Sequence, residues 1–413
     1  MQPVDHSVDS DPPLPLDDAF MQDPYPIYEQ LRRVGPVRRA TLPRGLTVWL
    51  VTRYADARAA LSSPSLGKNS KVASELFRHH IADHGDASAF PSALAMHMLN
   101  SDPPDHTRMR TLVNKAFTAR TVARLRPRIE EITEELLAGM AGQDTVELLD
   151  AFAFPLPITV ICELLGVPDA DRGEFRSLSN TVLSQVPREE LQRASAGMAR
   201  YLSSLIERKR NHPGDDLLTA LIEVRDHGDR LDEVELVAMA FLLMVAGHET
   251  TVNLIGNGVL ALLRDPDQLA ALRADPTLLP GAIEEFLRFE SPVNLATTRF
   301  TTEPLVLGDV VIPEGEFVLV SLGSANRDAE RFPDADRLDV TRKPAGHVAF
   351  GHGIHYCVGA PLARLEGQVA IGRLIARFPQ LRLAAPPDEL VWRNSTLIRG
   401  LLSLPVSLGA LDN

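Results

Sequence analysis

The sequence predicts a mainly α-helical protein with small β-sheets, folded as one domain. Three observations predict it. Long runs place apolar residues three and four apart; only two stretches have strand character; and no Gly/Ser linker, charge block or internal repeat interrupts the 413 residues. With 45% hydrophobic residues, a chain of this length fills a sizeable core.

Taken in chain order, residues 1–18 are acidic and proline-rich and lack the basic start and apolar centre of a signal peptide, so they read as a disordered N-terminal tail before a single domain, 19–413. The stretch GLTVWLVT, 45–52, is β-branched and reads as a strand. Helical spacing follows in RLRPRIEEITEELLAGM from Arg124 and MARYLSSLIERKR from Met198. The longest helical pattern begins at Asp232, which can cap the first turn while Glu235 reaches back to it, and continues to about Leu263. Some thirty residues at ~1.5 Å each make a rod of ~45 Å, enough to cross a domain. LPGAIEEFLRF from Leu279 is again helical. The run 303–322 has β-branched segments broken by Gly-Asp and Pro-Glu-Gly turns. A last helix, VGAPLARLEGQVAIGRLIARF, follows Cys357.

Charge and cysteine usage narrow the function. A formal net charge of -13 disfavours nucleic acid and anionic membranes, which attract basic surfaces. Two cysteines make neither a disulfide framework nor a four-thiolate zinc site, which predicts a reducing, cytoplasmic setting. The most apolar run, 236–247, is shorter than the ~20 residues that span a bilayer, so no membrane anchor is expected.

Two segments break the helical monotony. In the middle of the long helix stand Ala246, Gly247, His248, Glu249, Thr250 and Thr251. Glycine and paired threonines are poor helix formers, and apolar flanks on both sides imply a buried polar notch where something binds. The second is AFGHGIHYCVGAPLARLE, 349–366. Cys162, inside PLPITVICELLGV, reads as a small buried hydrophobe. Cys357 sits instead on a glycine-rich loop at the N-terminus of a helix, whose positive end favours the thiolate. Gly351, Gly353 and Gly359 permit tight turns and close approach of a flat ligand. Such a thiolate is a metal ligand or a nucleophile; His355, two residues away, is a possible base, and spacing alone does not decide.

The run from Phe350 to Gly359 resembles the haem-ligand loop of the cytochrome P-450 superfamily, with the phenylalanine, Gly351, Gly353, Cys357 and Gly359 in register. The Ala246-to-Thr251 segment resembles the same family's oxygen-activating helix, and Glu285 to Arg288 its Glu-x-x-Arg helix. SDPPDHTRMRTLV, PLPITVICELLGVP and AGHETTVNLIGNG are most similar to the soluble actinobacterial branch that hydroxylates macrolides and other polyketides. The resemblance spans about 23–408. It implies the cytochrome P-450 fold, with haem b (iron protoporphyrin IX) between the long central helix and the cysteine-loop helix.

The resemblance also distributes roles. Cys357 becomes the axial iron ligand; a thiolate pushes electron density onto the metal and favours O–O cleavage. Thr250 becomes the hydroxyl at the oxygen site and Glu249 the carboxylate that relays protons from solvent. Ala246 and Gly247 leave room for oxygen. His106, Arg110, Arg299 and His355 become propionate partners, with Phe350, Gly351 and Gly359 against the haem. Glu285, Arg288 and Arg337 become a buried structural ion network. The substrate pocket falls near Met98, Leu243, Val293, Asn294, Leu295 and Leu397, with further residues expected from 70–98 and 177–195. Its apolar character implies a bulky greasy molecule, while Glu75, Asp83 and Asp86 offer partners for an amino sugar.

The expected activity is therefore insertion of one oxygen atom of dioxygen into a C–H bond of a macrolide or other polyketide in antibiotic biosynthesis. Terpenoids or fatty acids are the alternative substrates, and peroxide-driven peroxygenation the alternative chemistry. Little sequence follows the last motif, so electrons are expected from a ferredoxin and an NAD(P)H-dependent ferredoxin reductase, docking near Arg108, Lys115 and Arg364 on a monomer.

Overall fold

A 32-residue helix, Glu233–Arg264, runs through the computed structural model and organises it. Its start is the expected capping box: the Asp232 side chain accepts from the Glu235 amide (2.8 Å) and the Glu235 carboxylate accepts from the Asp232 amide (2.9 Å). The structure describes residues 12–43, 45–80, 92–183, 187–225, 227–343 and 346–409.

Around the central helix pack Pro155–Leu165, Arg188–Asn211, Leu279–Phe289 and Ala360–Arg377, which share one large apolar cluster with it. The central helix has the length and apolarity of a membrane span. Yet 72% of its most apolar window is buried in the fold, so its hydrophobicity is satisfied by neighbouring helices.

The sheets bring distant parts of the chain together. In the six-stranded sheet the order is Leu14–Pro15, Val37–Thr41, Thr47–Val51, Phe317–Val320, Arg299–Thr301 and Leu66–Gly67. Thr47–Val51 pairs antiparallel with Val37–Thr41 and parallel with Phe317–Val320. A three-stranded sheet joins Thr145–Glu147 to Pro405–Ser407 and Arg382–Leu383, and Leu305–Leu307 pairs with Val310–Ile312.

The sheet corrects the expected tail of 1–18. Leu14 and Pro15 pair with Ala40 and Thr41, Leu16 is buried, and Asp17 caps the helix Asp18–Gln22 through the Phe20 amide. Leu16, Phe20 and Met21 join an apolar cluster with Tyr28 and Phe317, which outweighs the acidic composition. Residues 1–11 of that tail lie outside the described residues, as do Asp83 and Asp86.

The ion network also differs from expectation in one member. Glu285 and Arg288 are both fully buried, and two hydrogen bonds of 2.7 Å join them. The second guanidinium on Glu285 comes from Arg342, at 3.2 Å, and not from Arg337. Arg337 contributes its backbone carbonyl, which accepts from Arg288 at 3.2 Å; the carbonyls of Asn326 (2.9 Å) and Ala335 (2.7 Å) do the same. Only the rigid five-donor fork of arginine meets a carboxylate and three carbonyls at once.

Arg288→Met is therefore expected to leave three buried carbonyls without their donor and Glu285 with Arg342 as its remaining guanidinium, lowering stability by about 3–5 kcal/mol. Urea unfolding measures this; Arg337→Ala, which keeps the carbonyl, should change stability far less.

Candidate active site

The cysteine loop is shaped by its backbone before any side chain matters. Gly351 and Gly353 have φ of 73° and 74°, in the left-handed region that favours glycine. A Cβ on Gly353 would also lie 2.8 Å from the Leu61 carbonyl oxygen. The Cys357 amide donates to the Phe350 carbonyl (2.9 Å) and closes the loop, while Arg364 lies over the Phe350 ring at 4.6 Å. Gly359 has an ordinary φ of -78°, so its role is not conformational; its amide, with that of Ala360, faces the sulfur.

Cys357 is open to a cavity yet lies deep in the protein. Burial pushes its thiol up, against the amides of Gly359 and Ala360 and the charge of Arg110, which pull it down. The expected lowering by the helix N-terminus is thus outweighed by desolvation, and a metal ion at the sulfur would favour the thiolate. Cys162 is fully buried, with its thiol pushed up to about 11, as an inert core residue.

The cavity has an empty volume of about 1470 Å³, including its open mouth. Cys357, Phe350, Gly351, Gly359 and His355 border it on one side, and Ala246, Gly247 and Thr250 of the central helix also line it. Within that helix Thr250 Oγ1 donates to the Ala246 carbonyl (2.6 Å) and Thr251 Oγ1 to that of Gly247 (3.1 Å). With its hydrogen committed, the Thr250 oxygen keeps lone pairs to accept from a group in the cavity.

His106, Arg110, Arg299 and His355 all border this cavity, and the structure adds Lys68, which belongs to no sequence motif. The His106 and His355 rings are 4.3 Å apart, and both nitrogens of buried His106 lack partners. Burial, Lys68 and His106 bring His355 down to about 2; burial and Arg299 push Lys68 well below the lysine range; burial lowers Arg299 to about 10. Asp102 is the carboxylate that offsets Lys68 and Arg299, and it already accepts from the Lys68 (2.8 Å) and Asn69 (3.0 Å) amides. A cluster so short of negative charge fits a ligand carrying two carboxylates. One thiol, a wide cavity and a basic cluster fit haem b: Cys357 would hold the iron, and Lys68, His106, Arg110, Arg299 and His355 the propionates.

The remaining candidates divide. Met98, Leu243 and Val293 line the cavity, joined by Ala296, Thr297, Ile161 and Leu242. Asn294 and Leu295 do not: Asn294 Oδ1 accepts from Tyr28 (2.9 Å), and Leu295 belongs to the cluster around Phe20 and Phe317. Leu397 is 39% exposed outside the cavity, and its carbonyl accepts from the Asn294 amide (2.8 Å). Glu249 does not line the cavity either; its Oε1 accepts from Arg393 at 2.7 Å. Burial raises its carboxyl and Arg393 opposes the rise. Of the residues proposed for partner docking, Arg108 is taken up by Glu235 and Arg364 by Glu284 (2.6 Å), and Lys115 Nζ donates to the Arg225 carbonyl (3.4 Å).

Known proteins show the same organisation. The chain is 59% identical to cytochrome P450 107B1 of Saccharopolyspora erythraea over 96% of its own length and 98% of that protein. It is 52% identical to the vitamin D(3) 25-hydroxylase of Pseudonocardia autotrophica, over 95% of each chain. The tirandamycin C-bound P450 monooxygenase TamI superposes with a TM-score of 0.89 at 56% identity, over 96% of this chain and all of that one. The sequence profile of cytochrome P450 matches residues 178–400. The chain therefore belongs to the cytochrome P450 family of haem-thiolate monooxygenases, and the thiol loop, basic cluster and polar helix turn around its cavity are the groups that would serve that chemistry.

Proposed function

We propose that this enzyme hydroxylates an unactivated C–H bond of a bulky apolar small molecule, a macrolide or another polyketide of secondary metabolism. The observation that carries this reading is the wall of the cavity beyond the cofactor's share: Met98, Leu242, Leu243, Val293 and Ala296 offer apolar surface, and Thr297 one hydroxyl. Such walls bind by area and orient through few polar contacts. The tirandamycin C bound by one similar protein supports the class, as do relatives named a polyketide biosynthesis cytochrome P450 of Bacillus subtilis (40% identical) and a mycinamicin IV hydroxylase/epoxidase of Micromonospora griseorubida (43% identical); the vitamin D(3) in another relative's name keeps a terpenoid as the second reading.

When bound, the haem supplies oxygen activation at an iron whose thiolate ligand pushes electron density toward the bond to be broken. Cys357 provides that ligand and its loop keeps the sulfur in place. Thr250 accepts a hydrogen bond on the cavity side, and Glu249 brings protons from the surface. Both groups favour dioxygen and protons over peroxide as the oxygen source. Electrons come from redox partners. We infer a ferredoxin served by an NAD(P)H-dependent reductase, docking on a cytoplasmic monomer at the hollow on the thiolate side. Arg58, Lys343 and His352 line that hollow beside Glu284, which takes up Arg364 and His347, and these cations suit an acidic partner.

Cys357→Ser should lose the thiolate signature of the ferrous carbon monoxide complex, and Cys162→Ser should keep it; equal spectra would refute the ligand assignment. Thr250→Ala should still bind substrate and consume NADPH, but should release peroxide and form roughly tenfold less product per NADPH. Lys343→Glu should raise the KM for ferredoxin and flatten its salt dependence while leaving substrate affinity unchanged. For the substrate class, ferric spin-state titration with macrolides, terpenoids and fatty acids is decisive: a tight response to fatty acids alone reverses the ranking.

A further inference from the structure

Glu249 stands on the helix turn that faces the cavity, yet its carboxylate is turned outward to a hairpin at the other end of the sequence. In that hairpin Trp392 pairs with Leu401, the Arg393 amide donates to the Gly400 carbonyl (2.8 Å), and the Leu402 amide to that of Val391 (2.9 Å). Gln22 holds Trp392 from both sides, donating to its carbonyl (2.9 Å) and accepting from its amide (3.0 Å), and Arg399 lies over the indole at 3.5 Å. The backbone under Arg393 is therefore fixed.

The hairpin meets the helix at two points. A Cβ on Gly400 would lie 1.8 Å from Asn253 Oδ1, so the hairpin backbone is pressed against Asn253, whose Nδ2 donates to the Glu249 carbonyl (2.9 Å). Arg393 Nη1 then donates to Glu249 Oε1 at 2.7 Å, while its buried Nε has no partner. A guanidinium beside a carboxylate ordinarily forms two parallel bonds. Here it forms one, and no described residue hydrogen-bonds the second carboxylate oxygen, Oε2. The pair is partly exposed, at 29% for Arg393 and 17% for Glu249.

We propose that Arg393 is the positioning residue of the relay acid. It holds Glu249 at the surface end of the relay by one oxygen, and leaves the other to take a proton from water. The inference rests on the reading of Glu249 as the proton relay. In each cycle the carboxylate gains one proton from water on the Arg393 side and gives up that proton on the Thr250 side; no electron moves and no other bond changes.

Few other charges face this carboxylate. His248 is buried edge-on to Phe154, and burial brings it down to about 4, so it is neutral at pH 7. Arg176, from Arg172–Leu183, bears on His248 and is bonded to Thr159. Glu366, from Ala360–Arg377, borders the cavity and burial pushes it up to about 8, so it too is largely neutral. Arg393 is the charge that opposes the effect of burial on Glu249. Removing it must raise the carboxyl further and make it a weaker donor.

The test uses the haem-loaded enzyme. The Glu249 carboxyl band is identified by infrared difference against Glu249→Gln and followed with pH in wild type, Arg393→Gln and Arg393→Lys, beside oxygen consumption and spin-state affinity. In Arg393→Gln the band should titrate about one unit higher or more, the pH profile of oxygen consumption should move with it, and substrate affinity should stay within about twofold. Arg393→Lys should restore most of both shifts. If Arg393→Gln does not fold, the lysine variant is read for a smaller upward shift in the same band. An unmoved band and profile overturn the proposal while Glu249→Gln still slows oxygen consumption. A Glu249→Gln enzyme with wild-type oxygen consumption overturns the relay reading itself, and the proposal with it.

Discussion

The site depends on one buried guanidinium. Arg288 neutralises Glu285 and gathers the carbonyls of Asn326, Ala335 and Arg337, from a stretch with little regular pairing of its own. Buried carbonyls must be satisfied somewhere, and a single side chain does it here. From there the order passes to the thiolate loop. Asn326 accepts from the Val348 amide (2.7 Å), and the Val348 carbonyl accepts from the Gly351 amide (2.8 Å). Position at the sulfur is thus inherited from an ion pair that has no contact with the chemistry. Such a pair adds little net stability over an apolar replacement, but losing half of it is costly, which ties the loop's geometry to both members.

Around the cavity, cationic side chains outnumber carboxylates. Lys68 and Arg299 are crowded where Asp102 offsets them only in part, and burial pushes the Cys357 thiol toward its neutral form. One ligand that brings two carboxylates to the cluster and a metal ion to the sulfur would offset both, and its binding would add to folding stability by linkage, since the unfolded chain offers no such site. The central helix faces a different requirement. Its threonine hydroxyls bond to carbonyls one turn back, so the notch adds accepting oxygen atoms to an apolar wall without leaving donors unsatisfied.

Which of several neighbouring side chains reaches a site is decided by packing. Arg337 and Arg342 stand five residues apart in the same irregular stretch, and which of them turns its guanidinium to Glu285 depends on how that stretch folds over the helix. Asn294 and Leu295 share the apolar neighbourhood of Val293, yet packing against Tyr28 and the Phe20 cluster turns them away from the cavity. Lys68 and Arg393 carried no signal, because a lone cation beside apolar residues is ordinary on a surface. Residues 14–18 read as disordered from their acidity, but pairing with Ala40 and Thr41 and burial of Leu16 place them in the sheet.

What the sequence by itself determined is what depends on near neighbours in the chain. The capping box at Asp232, the central helix, the two left-handed glycines, the thiol at a helix start and the threonine turn all follow from residues within about five positions of one another, where dihedral preferences and short hydrogen bonds are decided. Only the tertiary structure decided which cations meet the cavity, which arginine completes the ion network, and that Glu249 faces a hairpin 144 residues away. Those choices are made by burial and shape complementarity between distant segments, and no local pattern encodes which of several equivalent side chains will arrive.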